Sequence, residues 1–132
     1  MKKLISLSLA FILLLSLTSC GFGGGVSKAD YLGTWECDEF FETDTGRYLI
    51  EKYTFLESGA GYSQITLTEA WEEYEAGHEY SKGYFDWELN DDVIIVHTKT
   101  VGDIKFKFDE KDETYSTLLN ITEGNRVYKK IS

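Results

Sequence analysis

From Gly33 to Ile131 the chain alternates apolar and polar side chains with a period of two, in short runs broken by Gly, Asp and Asn. Ile104, Phe106 and Phe108 alternate with Lys105 and Lys107. Phe85, Trp87 and Leu89 alternate with Tyr84, Asp86 and Glu88. Tyr115, Thr117, Leu119 and Ile121 share one parity. Successive side chains of a strand point to opposite faces, so such runs make antiparallel strands with one buried and one wet face. The chain has no proline and is 15% aromatic, which suits pleated, half-buried surfaces. Breaks fall at Asp44-Thr45-Gly46, Ser58-Gly59, Asn90-Asp91-Asp92, Val101-Gly102-Asp103, Asp109 to Asp112 and Glu123-Gly124-Asn125. The expected strands are 33–42, 47–57, 60–68, 80–89, 93–100, 103–109, 113–121 and 126–131. The fold class is therefore all-β: an antiparallel up-and-down meander of about eight strands, which closes into a barrel and so removes both exposed edges. A β-sandwich is the rival, but it needs longer crossing connections.

One connection breaks the rhythm. Residues 69–79 run Glu-Ala-Trp-Glu-Glu-Tyr-Glu-Ala-Gly-His-Glu, and Ala70, Trp71 and Tyr74 have a spacing compatible with a short helix. In an up-and-down barrel this third connection lies at the end opposite Trp35. Trp71, Tyr74, His78 and Tyr80 are thus candidate ligand-binding residues at a mouth or lid. The competing reading is a plug that fills the barrel, since small barrels are often packed solid.

The first residues carry processing information rather than fold. Met1-Lys2-Lys3 is a basic start, and Leu4 to Leu17 is apolar, broken only by serines. That stretch is shorter than the roughly 20 residues of a spanning helix. It ends in Leu17-Thr18-Ser19-Cys20, which resembles a bacterial lipobox. The resemblance implies a signal peptide over residues 1–19 and lipidation of Cys20, with the lipid bilayer as the partner that the acyl chains engage. Residues 20–29, with Gly21-Phe22-Gly23-Gly24-Gly25, form a Gly-rich tether, and residues 30–132 the domain. With Cys20 lipidated, Cys37 has no intramolecular disulfide partner and reads as a small buried hydrophobe.

Without Lys2 and Lys3 the chain holds 11 basic and 23 acidic residues. The excess is concentrated in residues 20–98, which carry 4 basic against 17 acidic groups. Nucleic acid is therefore not an expected partner, because it demands a basic stripe. Such a balance serves solubility and steers cationic partners inward. No catalytic constellation stands out: there is no nucleophile elbow, phosphate loop, zinc-protease helix or paired-cysteine signature. No cofactor or metal is expected. The acidic residues around His78 lack the regular spacing of a calcium loop. His97 reads as a packing or hydrogen-bonding residue, and the Asn120-Ile121-Thr122 glycosylation pattern as chance.

Gly33-Thr34-Trp35, the meander after it and the long far-end connection resemble the lipocalin-like (calycin) domains of small bacterial lipoproteins, over residues 30–131. The resemblance implies that Gly33 and Trp35 form the barrel floor, with a basic residue packed over the tryptophan from the last strand. If Val127 and Ile131 point inward, that residue is Lys129. Arg126, the one late arginine, begins the last strand, and a second lipocalin signature of the Thr-Asp-Tyr type is absent. The expected function is a non-enzymatic binding module on the cell envelope, outside the cytoplasm, for a small apolar ligand or peptide. The alternative is a packed barrel that acts as a structural or protein-interaction lipoprotein.

Overall fold

A computed structural model describes residues 27–132. The expected signal peptide 1–19, the expected lipidation site Cys20 and most of the expected tether lie outside the described residues. The domain opens with a one-turn helix, α1 (Lys28–Tyr31), followed by nine strand segments: β1 (Gly33–Cys37), β2 (Phe40–Glu42), β3 (Arg47–Phe55), β4 (Ala60–Leu67), β5 (Glu79–Asn90), β6 (Val93–His97), β7 (Asp103–Phe108), β8 (Thr117–Asn120) and β9 (Arg126–Lys130). Sequential neighbours from β3 to β9 pair antiparallel. β1 then pairs with both β3 and β9, so the sheet closes on itself. β1 and β2 lie end to end along β3: Glu36 faces Lys52, whereas Phe40 faces Leu49. Asp38 and Glu39 thus hold one extra residue, a bulge that bends a single strand into two segments. The result is a closed up-and-down barrel of eight strands, and the sandwich alternative falls away.

The two ends of the barrel differ. At the floor, α1 plugs the opening. Tyr31 is fully buried, stacks on Phe108 with ring centroids 4.4 Å apart, and donates its hydroxyl to the Asp92 carbonyl at 2.9 Å. The Trp35 indole N–H in turn donates to the Tyr31 carbonyl at 2.9 Å. Trp35 is fully buried and faces Tyr53 on one side and Lys130 on the other. Gly33 has a positive φ of 110°, and a Cβ there would fall 2.1 Å from the Ser132 carbonyl. The Gly-x-Trp motif is therefore a steric requirement: the terminal backbone crosses where only glycine leaves room. Above the floor, Tyr53, Phe55, Phe85, Trp87, Phe106 and Tyr128 fill the lumen with ring-on-ring contacts.

Several expectations need correction. The cation over Trp35 is Lys130, with Nζ 5.4 Å from the ring, and not Lys129. The parity of β9 is the reverse of that expected. Tyr128 is fully buried and points inward, so Val127, Lys129 and Ile131 point away, and the Lys129 ammonium donates to Thr117 Oγ1 at 2.8 Å. β8 is likewise inverted. Leu118 and Asn120 are its fully buried residues, and Ile121 is exposed. The expected strand 113–121 begins only at Thr117, because Asp112 folds the chain back by accepting bonds from Thr114, Ser116 and Thr117 while Tyr115 takes a positive φ. Asn120 Oδ1 accepts the Thr122 and Glu123 N–H groups, so this buried amide is committed to a turn.

Replacing Trp35 by Ala removes the residue on which floor, first strand and last strand converge. The expected loss is about 3–5 kcal/mol of unfolding free energy, read from denaturant midpoints. A loss near zero would show that the floor does not hold the barrel shut.

Candidate functional site

The connections 43–46, 68–78, 98–102 and 121–125 gather at the end opposite Trp35, and the long one is among them, as the topology requires. The mouth is not an even rim. β5 pairs with β4 along most of its length, but with β6 only from Asp86 to Asn90. Residues 79–85 therefore stand free on one side, leaving a notch between Gly83–Phe85 and the 98–101 turn. A cavity of about 410 Å³ opens there, lined on its inner wall by Glu51, Tyr53, Ser63, Ile65, Phe85 and Ile104.

Space exists because two facing positions carry almost no side chain. Ser63 pairs with Tyr53 and Gly83, and a Cβ on Gly83 would touch Ser63 Oγ at 3.4 Å. Larger residues at either place would continue the aromatic packing from below. The wall is mostly apolar, with one ionisable side chain set deep. Glu51 follows Leu49 in the inward row of β3, and its side chain is only 13% exposed. The Tyr128 hydroxyl donates to Glu51 Oε1. The Glu51 backbone N–H donates to Cys37 Sγ at 3.3 Å. Arg126 Nη1 lies 3.8 Å from Oε1, beyond hydrogen-bond reach, and its guanidinium sits 4.2 Å from the Phe40 ring centroid. Burial pushes the Glu51 carboxyl above the usual carboxylate range, opposed by the Tyr128 hydrogen bond. Burial likewise raises the Cys37 thiol. Cys37 is buried and packed in the core, a poor setting for a nucleophile.

None of the four candidate lid residues lines this cavity. Trp71, Tyr74, His78 and Tyr80 instead build a separate cluster around Arg47. The Arg47 guanidinium lies 3.7 Å from the Tyr80 ring centroid and 5.0 Å from that of Trp71. It also pairs with Glu42, and its Nε donates to Thr45 Oγ1 at 2.7 Å. The Trp71 indole donates to the Thr45 carbonyl at 3.1 Å, and His78 stacks on Tyr74. The segment is not helical. Trp71 and Tyr74 exchange two backbone hydrogen bonds of 2.9 Å across a tight turn, with Glu72 at a positive φ. Stacking on Arg47 outweighs the helical spacing, and Glu72, Glu73 and Glu75 would crowd like charges onto one helical turn.

Glu51, Ser63 and Gly83 were missed by sequence reasoning. The signals were present: an acid in the inward row with Leu49, Tyr53 and Phe55, and a glycine inside a strand, which marks a close approach or an opening. Among the described residues no three His, Cys, Asp or Glu side chains are placed to hold a metal ion. On the outer surface beside the notch, His97 bridges Asp103 at 2.8 Å through Nδ1 and Glu88 at 3.0 Å through Nε2. Comparison of the chain with protein-family models, curated proteins and solved structures finds no significant match.

Two outcomes follow from these clusters. Replacing Arg47 by Ala should free the 68–78 connection, so that limited proteolysis cuts there well before the rest of the barrel; an unchanged cleavage pattern would mean the aromatics hold the loop without the guanidinium. Hydrogen bonds from His97 to Asp103 and Glu88 raise its imidazole pKa above the ordinary value. Its contribution to stability is therefore full below an unfolded pKa near 6.5 and is lost as pH rises through the higher folded value. His97→Gln should remove that part of the pH dependence, measured by denaturation across the range. An NMR titration showing an unshifted imidazole would overturn it.

Proposed function

We propose that this chain is a lipid-anchored lipoprotein of the cell envelope, with a lipocalin-like barrel that holds a small, largely apolar ligand in its mouth without chemical change to it. The observation that carries the reading is the open 410 Å³ space above a filled aromatic core. Its size falls in the range of small-molecule sites, roughly 300–1,000 Å³. Its walls have the matching chemistry, with Tyr53, Ile65, Phe85 and Ile104 around one deep polar group. Geometry relative to the tether agrees. α1, the element nearest the tether, sits at the floor, so a chain anchored through Cys20 would turn its mouth away from the bilayer.

A second reading, a packed domain that recognises another envelope protein, is favoured by the outer face of β4 and β5. Tyr84 is 70% exposed there, and the Lys82 ammonium lies over both the Tyr62 and Tyr84 rings. The two readings separate by native mass spectrometry of residues 21–132 incubated with an apolar extract of the source organism. The binding reading expects one retained mass in the wild type and none in Ser63→Trp, whose side chain would occupy the notch. A clean unliganded mass for the wild type would transfer the assignment to the protein-interaction reading.

A further inference from the structure

The mouth contains one group that an apolar ligand alone would leave unused. Glu51 Oε1 is held by the Tyr128 hydroxyl, while Oε2 accepts no hydrogen bond among the described residues. The carboxylate lines the cavity and is largely withdrawn from bulk water. Its nearest cation, Arg126, is too far for a hydrogen bond and is occupied by Phe40. The other charged lining residues are Glu123 and Lys99, so acids outnumber bases around the space. The chain as a whole carries a net charge of −10. We propose that the mouth selects amphiphiles with a primary ammonium head, which Glu51 Oε2 receives while the apolar body lies against Tyr53, Ile65, Phe85 and Ile104.

The physical case rests on geometry and charge. A carboxylate fixed by one hydrogen bond and withdrawn from solvent has an oriented lone pair to offer and little water to lose. A charge-assisted N–H···O bond there is shorter and stronger than a neutral one. The ammonium also completes the local charge balance that Arg126 leaves loose. An alcohol of equal length gains the same apolar contacts without the charge, and a carboxylate meets repulsion from Glu51 and Glu123. The surrounding acidic field draws cations toward the opening.

This inference rests on the reading of the mouth as a ligand site, and the test separates the two. The purified full chain is titrated calorimetrically with n-octylammonium, n-octanol and n-octanoate. The expected order is ammonium, then alcohol, then carboxylate, with the ammonium tighter than the alcohol by about tenfold or more. In Glu51→Gln, whose amide oxygen can still accept the Tyr128 bond, the ammonium-to-alcohol ratio should fall close to one; circular dichroism checks that the variant is folded. Equal wild-type affinity for ammonium and alcohol overturns the role of Glu51 while leaving the mouth a ligand site. A preference that survives in Glu51→Gln overturns it as well. Failure of all three probes to bind overturns the mouth reading itself.

Discussion

The barrel depends on the double pairing of β1. Five residues from Gly33 to Cys37 join β3 on one side and β9 on the other, and no other segment among the described residues closes the ring. Closing a sheet in this way satisfies two edges at once, but the closing strand must also fill the lumen where the strands converge. Trp35 does both. Its backbone lies between Tyr53 and Lys130, its ring is fully buried, and its indole N–H is satisfied by α1. The lone buried N–H of a large aromatic is expensive to leave unpaired, so floor helix and first strand are tied to one another. Lys130 over the ring and Lys28 over Trp87 finish the floor with cations whose stems lie on apolar surface.

From that closed end the lumen changes character along its length. Low in the barrel the lumen is filled by large side chains, and Gly61 marks the crowding: a Cβ there would meet the Phe85 ring and the Thr54 carbonyl at 2.4 Å. Near the mouth Ser63 lies between Tyr53 and Gly83 in the sheet, and β6 gives out before β5 does. One barrel is thus both things the sequence left open, solid below and open above. The longer strands β3, β4 and β5 rise past the notch as a wall. Arg47 holds the top of that wall by filling a cage of Tyr80 and Trp71, where an aliphatic side chain could not reach Glu42 and Thr45 as well.

How much of this was legible varies with the range of the interaction that decides it. Fold class and strand count follow from period-two alternation and turn residues, which are local. Parity at β8 and β9 does not. Both strands are short and carry apolar residues on both faces: Val127 and Ile131 alternate with Tyr128, and Leu118 sits beside Leu119. Register was then settled by the fully buried Tyr128, whose ring packs against Tyr53 and Phe106 in strands far off in sequence. The setting of the long connection was hidden for a related reason. Trp71, Tyr74 and Tyr80 read as a binding rim in isolation, but Arg47, in another strand, supplies Trp71 and Tyr80 with a partner inside the same chain. The bulge at Asp38–Glu39 left no signal in the alternation, since Phe40 and Phe41 suit either phase.

Glu51 shows what such long-range placement can store. A carboxylate in the inward row of a barrel loses hydration, and replacement of a buried charged group by a well-packed apolar one is often neutral or stabilising. Stability alone therefore gives no reason for an acid among Leu49, Tyr53 and Phe55. Tyr128 offsets part of the desolvation by donating to Oε1, and the carboxylate lines the cavity. The small side chains at Ser63 and Gly83 forgo packing in the same place. Two independent sacrifices of core stability, one electrostatic and one steric, coincide at a single notch in a barrel that is otherwise filled. On the proposed reading, stabilising packing is given up where a ligand would enter, and the charge left there would set which ligand the space favours.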